Sequence, residues 1–348
     1  MVPVVDLSRR GKQLGPVFAA IVERISASGS LLLGPETAAF EQEFAAWTGA
    51  AAVVAVSSGA SALQLSLAAL GVGPGDEVIV PAFTAVPTAA AVCAVGAIPV
   101  PVDVEPDTAN LDPALVAAAR TSRTKAVIVV HLYGRPATLP DTDLLVVEDA
   151  AQAHGAVTDH SRSAAVAYSF YPTKNLGGIG DGGAVATADQ ALAERVRRLR
   201  AHGMTAMYVH EEISQNFRMS EIEAAWLRLG LGRLTADNRR RRAIATRYRT
   251  LAPQLCWQSP HDDHVYHLCV VRSGGRDQFR AALAGREVAT AVHYPLAITD
   301  QPAFSHFTRD RCPVAHTWAA QCVSVPCFPE MSDDEVELVG AALAEQAS

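Results

Sequence analysis

The sequence predicts an α/β fold: a mostly parallel central sheet in a large domain, then a smaller α+β C-terminal domain. Short runs that are apolar throughout recur along the first two-thirds of the chain, as strands covered on both faces require. Helix-like stretches separate several of them, the arrangement that parallel strands need for their crossovers. A long arginine-rich helical pattern then leads into a final section with a strand signal of its own.

Taken in order, Ala52 to Val56 is the first apolar run, and Ser61 to Leu70 the helix after it. Glu77 to Val80 and Ile98 to Val104 follow as strands, with Thr84 to Val95 as the helical stretch between them. Pro113 to Arg120 is helical and leads to the strand Ala126 to Val130. Leu144 to Val147, Val166 to Phe170 and Ala184 to Thr187 complete the strand series, and Gln190 to Ala201 is its last helix. The pattern from Ser220 to Leu251 reads as one long helix, and Val265 to Val271 as the strand of the C-terminal part. A boundary near Thr235 divides the chain into a large domain, 1–235, and a small one, 236–348.

Composition narrows the function classes. The chain has 348 residues, with 29 basic against 36 acidic ones and a formal net charge of −7. Hydrophobic residues make up 49% and charged ones 19%, below the roughly 25% usual for soluble domains. Such a chain buries a large core, and its acidic balance argues against nucleic acid as a partner. Val78 to Val102 is a run of 25 uncharged residues, long enough to span a membrane. Pro81, Pro87, Pro99 and Pro101 break it as a continuous helix, so it reads as buried core. The first residues lack the apolar stretch of a secretory signal, and the six cysteines show no CxxC spacing; a cytoplasmic location is expected. Among the 29 basic residues only Lys12, Lys125 and Lys174 are lysines, so chemistry that needs an amine has three candidates.

In an open α/β sheet, ligands gather at the carboxyl ends of the strands. Ala52 to Val56 runs into Ser57-Ser58-Gly59-Ala60-Ser61 and a helix, which offers backbone N–H groups to a phosphate. Leu144 to Val147 ends in Glu148-Asp149-Ala150-Ala151-Gln152, and Val166 to Phe170 in Tyr171-Pro172-Thr173-Lys174. A phosphate cradle, a carboxylate and a lysine at three strand ends suit pyridoxal phosphate, which needs an amine, an acid partner for its ring nitrogen and an anion site. Lys174 supplies the amine, Asp149 the acid partner, and Ser169 reaches the phosphate together with the N–H groups of Gly59 to Ser61.

These residues resemble the DegT/DnrJ/EryC1/StrS family of sugar aminotransferases, of the aspartate-aminotransferase fold type (fold type I). The resemblance covers nearly the whole chain, through LLLGPETAAFEQEFAAWTG, VSSGASALQLSLAALGVGPGDEVIVPAFT, VVEDAAQAHGA, YSFYPTKNLGGIGDGGAVAT, NFRMSEIEAAWL and VHYP. It implies that Lys174 holds pyridoxal phosphate covalently, Asp149 pairs with the pyridinium nitrogen and Gln152 bonds the ring hydroxyl. It implies also that Ser169 and the backbone of Gly59, Ala60 and Ser61 hold the phosphate, and that Asn216 reaches the phosphate of a neighbouring subunit, with Arg218 beside it. Members of the family are homodimers with shared active sites that aminate keto groups of nucleotide-linked sugars or cyclitols, using glutamate or glutamine. Related sugar dehydratases carry histidine where this chain has Lys174, so the lysine favours transamination.

The chain departs from the family pattern in places. Ala60 replaces the usual threonine, removing a hydroxyl and keeping the N–H. Ala85 stands where an aromatic ring ordinarily stacks on the pyridine, which leaves Phe83 as the candidate for that role. Between Gly134 and Leu144 a helix usual in the family is expected to be truncated. Tyr294 of VHYP is a candidate substrate contact, with a packed tyrosine as the competing reading. Gly178 to Gly183 matches GxGxxG but precedes a strand, and the His261 to His267 cluster flanks a strand start, so neither a dinucleotide nor a metal site is expected. Arg239 to Arg242 reads as a solvated helix face. Two other readings use the same fold: a pyridoxal-phosphate lyase or dehydratase, and a regulatory protein, which the presence of Lys174 and Asp149 disfavours.

Overall fold

The chain opens with two helices that its strand-and-helix alternation does not announce. In α1 (Leu7–Ser28) the Asp6 side chain accepts from the Ser8 N–H at 3.0 Å, capping the first turn. In α2 (Pro35–Thr48) a proline begins the helix, where its missing N–H is not needed. The alternating series follows: β1 (Ala52–Val56), α3 (Gly59–Ala69), β2 (Glu77–Pro81), α4 (Val86–Ala94), β3 (Ile98–Val102), α5 (Pro113–Ala119), β4 (Thr124–Val130), β5 (Leu145–Asp149), β6 (Ala165–Ser169), β7 (Gly183–Thr187) and α6 (Gln190–Arg200). A short hairpin, β8 (Met204–Ala206) with β9 (Val209–His210), precedes the long helix α7 (Glu221–Leu251). The last part holds β10 (Cys256–Trp257), β11 (Cys269–Arg272), α8 (Arg276–Gly285), α9 (Pro313–Gln321), β12 (Cys322–Val325) and α10 (Asp333–Glu345). This computed structural model describes residues 1–156 and 161–346.

Seven strands form the main sheet in the order β1-β7-β6-β5-β4-β2-β3. β7 runs antiparallel to β1 and to β6, and every other pair is parallel. The carboxyl ends of β1, β5 and β6 therefore lie on one edge, where the three unusual sequence segments meet. β1, β2, β6 and β7 are buried at every position, which is why they read as unbroken apolar runs.

The second sheet is antiparallel, β10-β11-β12. Its core joins Val323 and Phe328 to Ile244 and Tyr248 of α7 and to Val339 and Leu343 of α10. Val2 belongs to the same cluster, and its N–H donates to the Glu287 carbonyl at 2.7 Å, so the first residues of the chain cross over to the C-terminal part. The expected change of domain near Thr235 falls inside α7, which runs without interruption from Glu221 to Leu251. Residues 135–144 form no helix. No helix among the described residues is long and apolar enough to cross a membrane.

Candidate active site

At the end of β1, Ser58 caps α3 in a reciprocal arrangement. Its hydroxyl accepts from the Ser61 N–H at 3.1 Å, while Ser61 Oγ accepts from the Ser58 N–H at 2.8 Å. The cap turns Ser61 inward, whereas Ser58, Gly59 and Ala60 line a cavity of about 250 Å³. Gly59 is required by close approach: a Cβ there would sit 2.5 Å from the Ser169 Cβ. Across from this helix start, Ser169 ends β6 and lines the same cavity. Small groups and helix N–H groups facing a hydroxyl make an anion cradle of phosphate size.

At the end of β5, Asp149 is buried, with Oδ2 accepting from Thr88 Oγ1 at 2.8 Å and Oδ1 from the Ala151 N–H at 3.1 Å. Burial raises the pKa of its carboxyl, and the Thr88 hydroxyl partly offsets this. Such a carboxylate is completed by a cation set against it. Gln152 is held on both sides: Oε1 accepts from the Tyr133 N–H at 2.6 Å, and Nε2 donates to Tyr294 Oη at 3.0 Å.

Lys174 follows β6, in a turn closed by its own N–H donating to the Tyr171 carbonyl at 2.8 Å. The turn is anchored through the next residue, whose Nδ2 donates to Asn238 of α7 at 2.8 Å and to the Val265 carbonyl at 3.0 Å. The amine makes no hydrogen bond to the described residues. Burial pushes its pKa down to about 8, against the pull of Asp149. A lysine in this state has an appreciable neutral fraction near neutral pH and serves as nucleophile and base.

The structure thus brings together Lys174, Asp149, Gln152, Ser169, Gly59 and Ala60 around one cavity. Phe83 is the correction. Its ring is fully buried and packs on Trp318 at 6.2 Å between centroids, while Thr84, Ala85 and Pro87 face the cavity. Past the end of β2 the chain bends at residues 82–84, and the bend leaves Phe83 on the core side while Thr84 and Ala85 turn to the cavity. Asn216 and Arg218 do not reach this cavity within one chain: Asn216 is exposed, and its Oδ1 accepts from Arg218 Nε at 2.8 Å. Tyr294 joins the site through Gln152 and lines an adjoining cavity. Sequence reading missed Thr88, because a threonine in an apolar helix carries no signal until its partner is located.

The residues fit the cofactor that the sequence suggests. The cradle would accept its phosphate, Asp149 would face its ring nitrogen, and Lys174 would supply the amine. A profile of the DegT/DnrJ/EryC1/StrS aminotransferase family matches residues 13–344. This chain belongs to that family. It is an aminotransferase dependent on pyridoxal phosphate. The chain is 42% identical to dTDP-3-amino-3,4,6-trideoxy-alpha-D-glucose transaminase of Streptomyces venezuelae, covering 99% of this chain and 96% of the relative. It is 44% identical to the erythromycin biosynthesis sensory transduction protein EryC1 of Saccharopolyspora erythraea, over 98% of each. The crystal structure of Streptomyces venezuelae DesV superposes with a TM-score of 0.95 at 42% identity, covering 100% of this chain and 98% of that one. NtdA of Bacillus subtilis, with bound cofactor PMP, gives a TM-score of 0.92 at 27% identity, over 99% and 84%.

When bound, pyridoxal phosphate supplies the electron sink that lets a proton leave carbon next to the amine. With it bound, Asp149 would face the ring nitrogen and favour its protonated form, Gln152 would bond the ring hydroxyl, and the Lys174 amine would serve as the base that takes that proton and the acid that returns it. The loop after Lys174 is held by Glu223, whose Oε2 accepts from the Gly180 N–H at 2.8 Å. Burial, reinforced by Asp181, raises the Glu223 pKa to about 7. A raised carboxyl pKa means that ionisation opposes folding. That penalty is absent below the ordinary value and complete above about pH 7. Glu223→Gln is therefore expected to melt roughly 2–4 °C higher than wild type at pH 8 and no higher at pH 4. Thermal melts at the two pH values check it, and an equal shift at both would show that charge is not the cause.

Proposed function

We propose that this enzyme transfers the amino group of glutamate or glutamine to the keto group of a nucleotide-linked sugar, as a homodimer whose subunits complete each other's sites. The observation that carries transamination is Lys174, half-buried in one cavity wall with Asp149 and the Gly59–Ser169 cradle. The nucleotide-sugar assignment rests on relatives of similar length. Besides the Streptomyces transaminase, one 38% identical over 98% of this chain is named UDP-N-acetyl-3-dehydro-alpha-D-glucosamine 3-aminotransferase, from Acidithiobacillus ferrooxidans. A panel of dTDP- and UDP-linked keto sugars, with a keto cyclitol beside them, tests it. Incubation with glutamate and the holoenzyme should yield an aminated nucleotide sugar by mass spectrometry. Amination of the cyclitol alone would replace the sugar assignment.

The homodimer is supported by the surface that carries Asn216 and Arg218. In the hairpin before them Tyr208 is 85% exposed and Met207 80%, and in the segment that follows it Ile213 is wholly exposed. Large apolar side chains displayed on one segment mark an interaction surface. A second copy seated there delivers Asn216 and Arg218 to the neighbouring phosphate cradle. The double variant Tyr208→Asp, Ile213→Asp is expected to sediment as a monomer with cofactor affinity at least tenfold lower. A wild-type monomer with full turnover would overturn the shared-site reading.

A further inference from the structure

Beside the cofactor cavity lies a second one of about 240 Å³, and the two share Lys174 and Tyr171 in their walls. Its wall also holds Arg241, His267, His293 and Tyr294, and no aspartate or glutamate. The sequence places Arg241 in an arginine run that reads as a solvated face. In the structure the side chain is 2% exposed. Its Nη1 donates to the carbonyls of Cys327, at 2.5 Å, and of Tyr266, at 3.3 Å. Nε is buried with no hydrogen-bond partner; Glu330 and Asp237 act on this guanidinium only from a distance, and no carboxylate among the described residues lies within ion-pair reach of it. His267 is likewise buried with Nδ1 unpartnered.

A buried cation is costly without a counter-ion, and guanidinium geometry suits a carboxylate. The one reaction partner that must bring a carboxylate to Lys174 is the amino donor. We infer that Arg241, with His267 beside it, binds a carboxylate of the amino-acid donor in this second cavity. The inference rests on the transaminase reading above and adds where the donor is held. The placement is economical: the donor's amine must reach the point where Lys174 meets the cofactor, and the shared wall at Lys174 is that point. Burial and the positive charges of Lys174 and Arg241 keep His267 neutral, so it offers a ring N–H without adding a further charge to the cavity.

The test separates the half-reactions by stopped-flow absorbance of the holoenzyme. With Arg241→Gln, the glutamate concentration giving half-maximal conversion to the pyridoxamine form should rise at least tenfold, the scale of a lost hydrogen bond to a charged group. The return half-reaction with keto substrate should change by less than about threefold. Glutarate, a dicarboxylate with neither amine nor ketone, should bind the wild-type holoenzyme by calorimetry and lose that binding in the variant. Equal losses in both half-reactions would mean that Arg241 only ties α7 to the second sheet, and would overturn the inference. So would unchanged dependence on glutamate. Should Arg241→Gln fail to fold, His267→Gln, which leaves those carbonyl contacts in place, decides: an unchanged glutamate requirement and unchanged glutarate binding overturn it. A wild-type holoenzyme that shows no spectral change with any amino acid would instead sink transamination itself.

Discussion

Lys174→Ala should abolish turnover, lowering it by at least ~10⁴-fold, the upper end of what a positioned acid/base residue contributes. Borohydride should then fix no cofactor to the protein. The wild type should carry the label on the peptide containing Lys174, with Lys12 and Lys125 unlabelled. The same residue predicts a pH profile. With its pKa pushed down to about 8 in the protein without cofactor, the amine is mostly protonated at pH 6 and mostly neutral at pH 9. The rate at which that protein captures pyridoxal phosphate should rise through this interval and level off above it. A profile still climbing steeply past pH 10 would show an ordinary, solvated lysine. Because the amine makes no hydrogen bond to the described residues, Lys174→Ala should keep its fold, so lost turnover would report chemistry.

The second large effect is expected at Asp149. Asp149→Ala removes a carboxylate that lines the cofactor cavity at the end of β5, together with the acceptor of the Thr88 and Ala151 bonds. Turnover should fall by about 10³-fold, because a ring nitrogen without its counter-charge loses its proton and with it the capacity to take up electrons. Asp149→Asn separates the two roles: it keeps the shape and an acceptor oxygen but removes the charge, and should be nearly as damaged. Absorbance spectra recorded with the kinetics check the cause, since the cofactor should still bind. Full activity in the Asn variant would show that the charge is not needed.

Most of the parallel sheet was legible because its strands are buried on both faces, so each announces itself as an apolar run bounded by turns. Predicted and observed bounds differ by a few residues at most in the main sheet, as with Leu144 to Val147 against Leu145–Asp149. α1 was not legible: it contains Gly11, Gly15 and Pro16, and its buried face is only Leu14, Phe18 and Ile25. The cofactor residues could be read because each stands at a strand end in a fixed sequence context. Phe83 could not be placed, since which way a side chain turns just past a strand depends on the packing partner, here Trp318. Arg241 was misread for a related reason. Four arginines in a row look solvated, and only the meeting of α7 with the second sheet shows that one of them points inward.

Helix α7 has a mechanical consequence. At 31 residues and 1.5 Å per residue it is a rod of about 46 Å, and both halves of the molecule are fastened to it. Near its start Glu223 grips the loop beyond Lys174, in its middle Asn238 holds Asn175 and the His154 carbonyl, and further along Arg241 and Tyr248 clamp the second sheet. A hinge between the halves would have to bend this rod or tear one of those grips. Access to Lys174 is therefore left to parts of the structure outside this frame, among them the N-terminal segment, whose Val4 and Val5 line the cavity beside it.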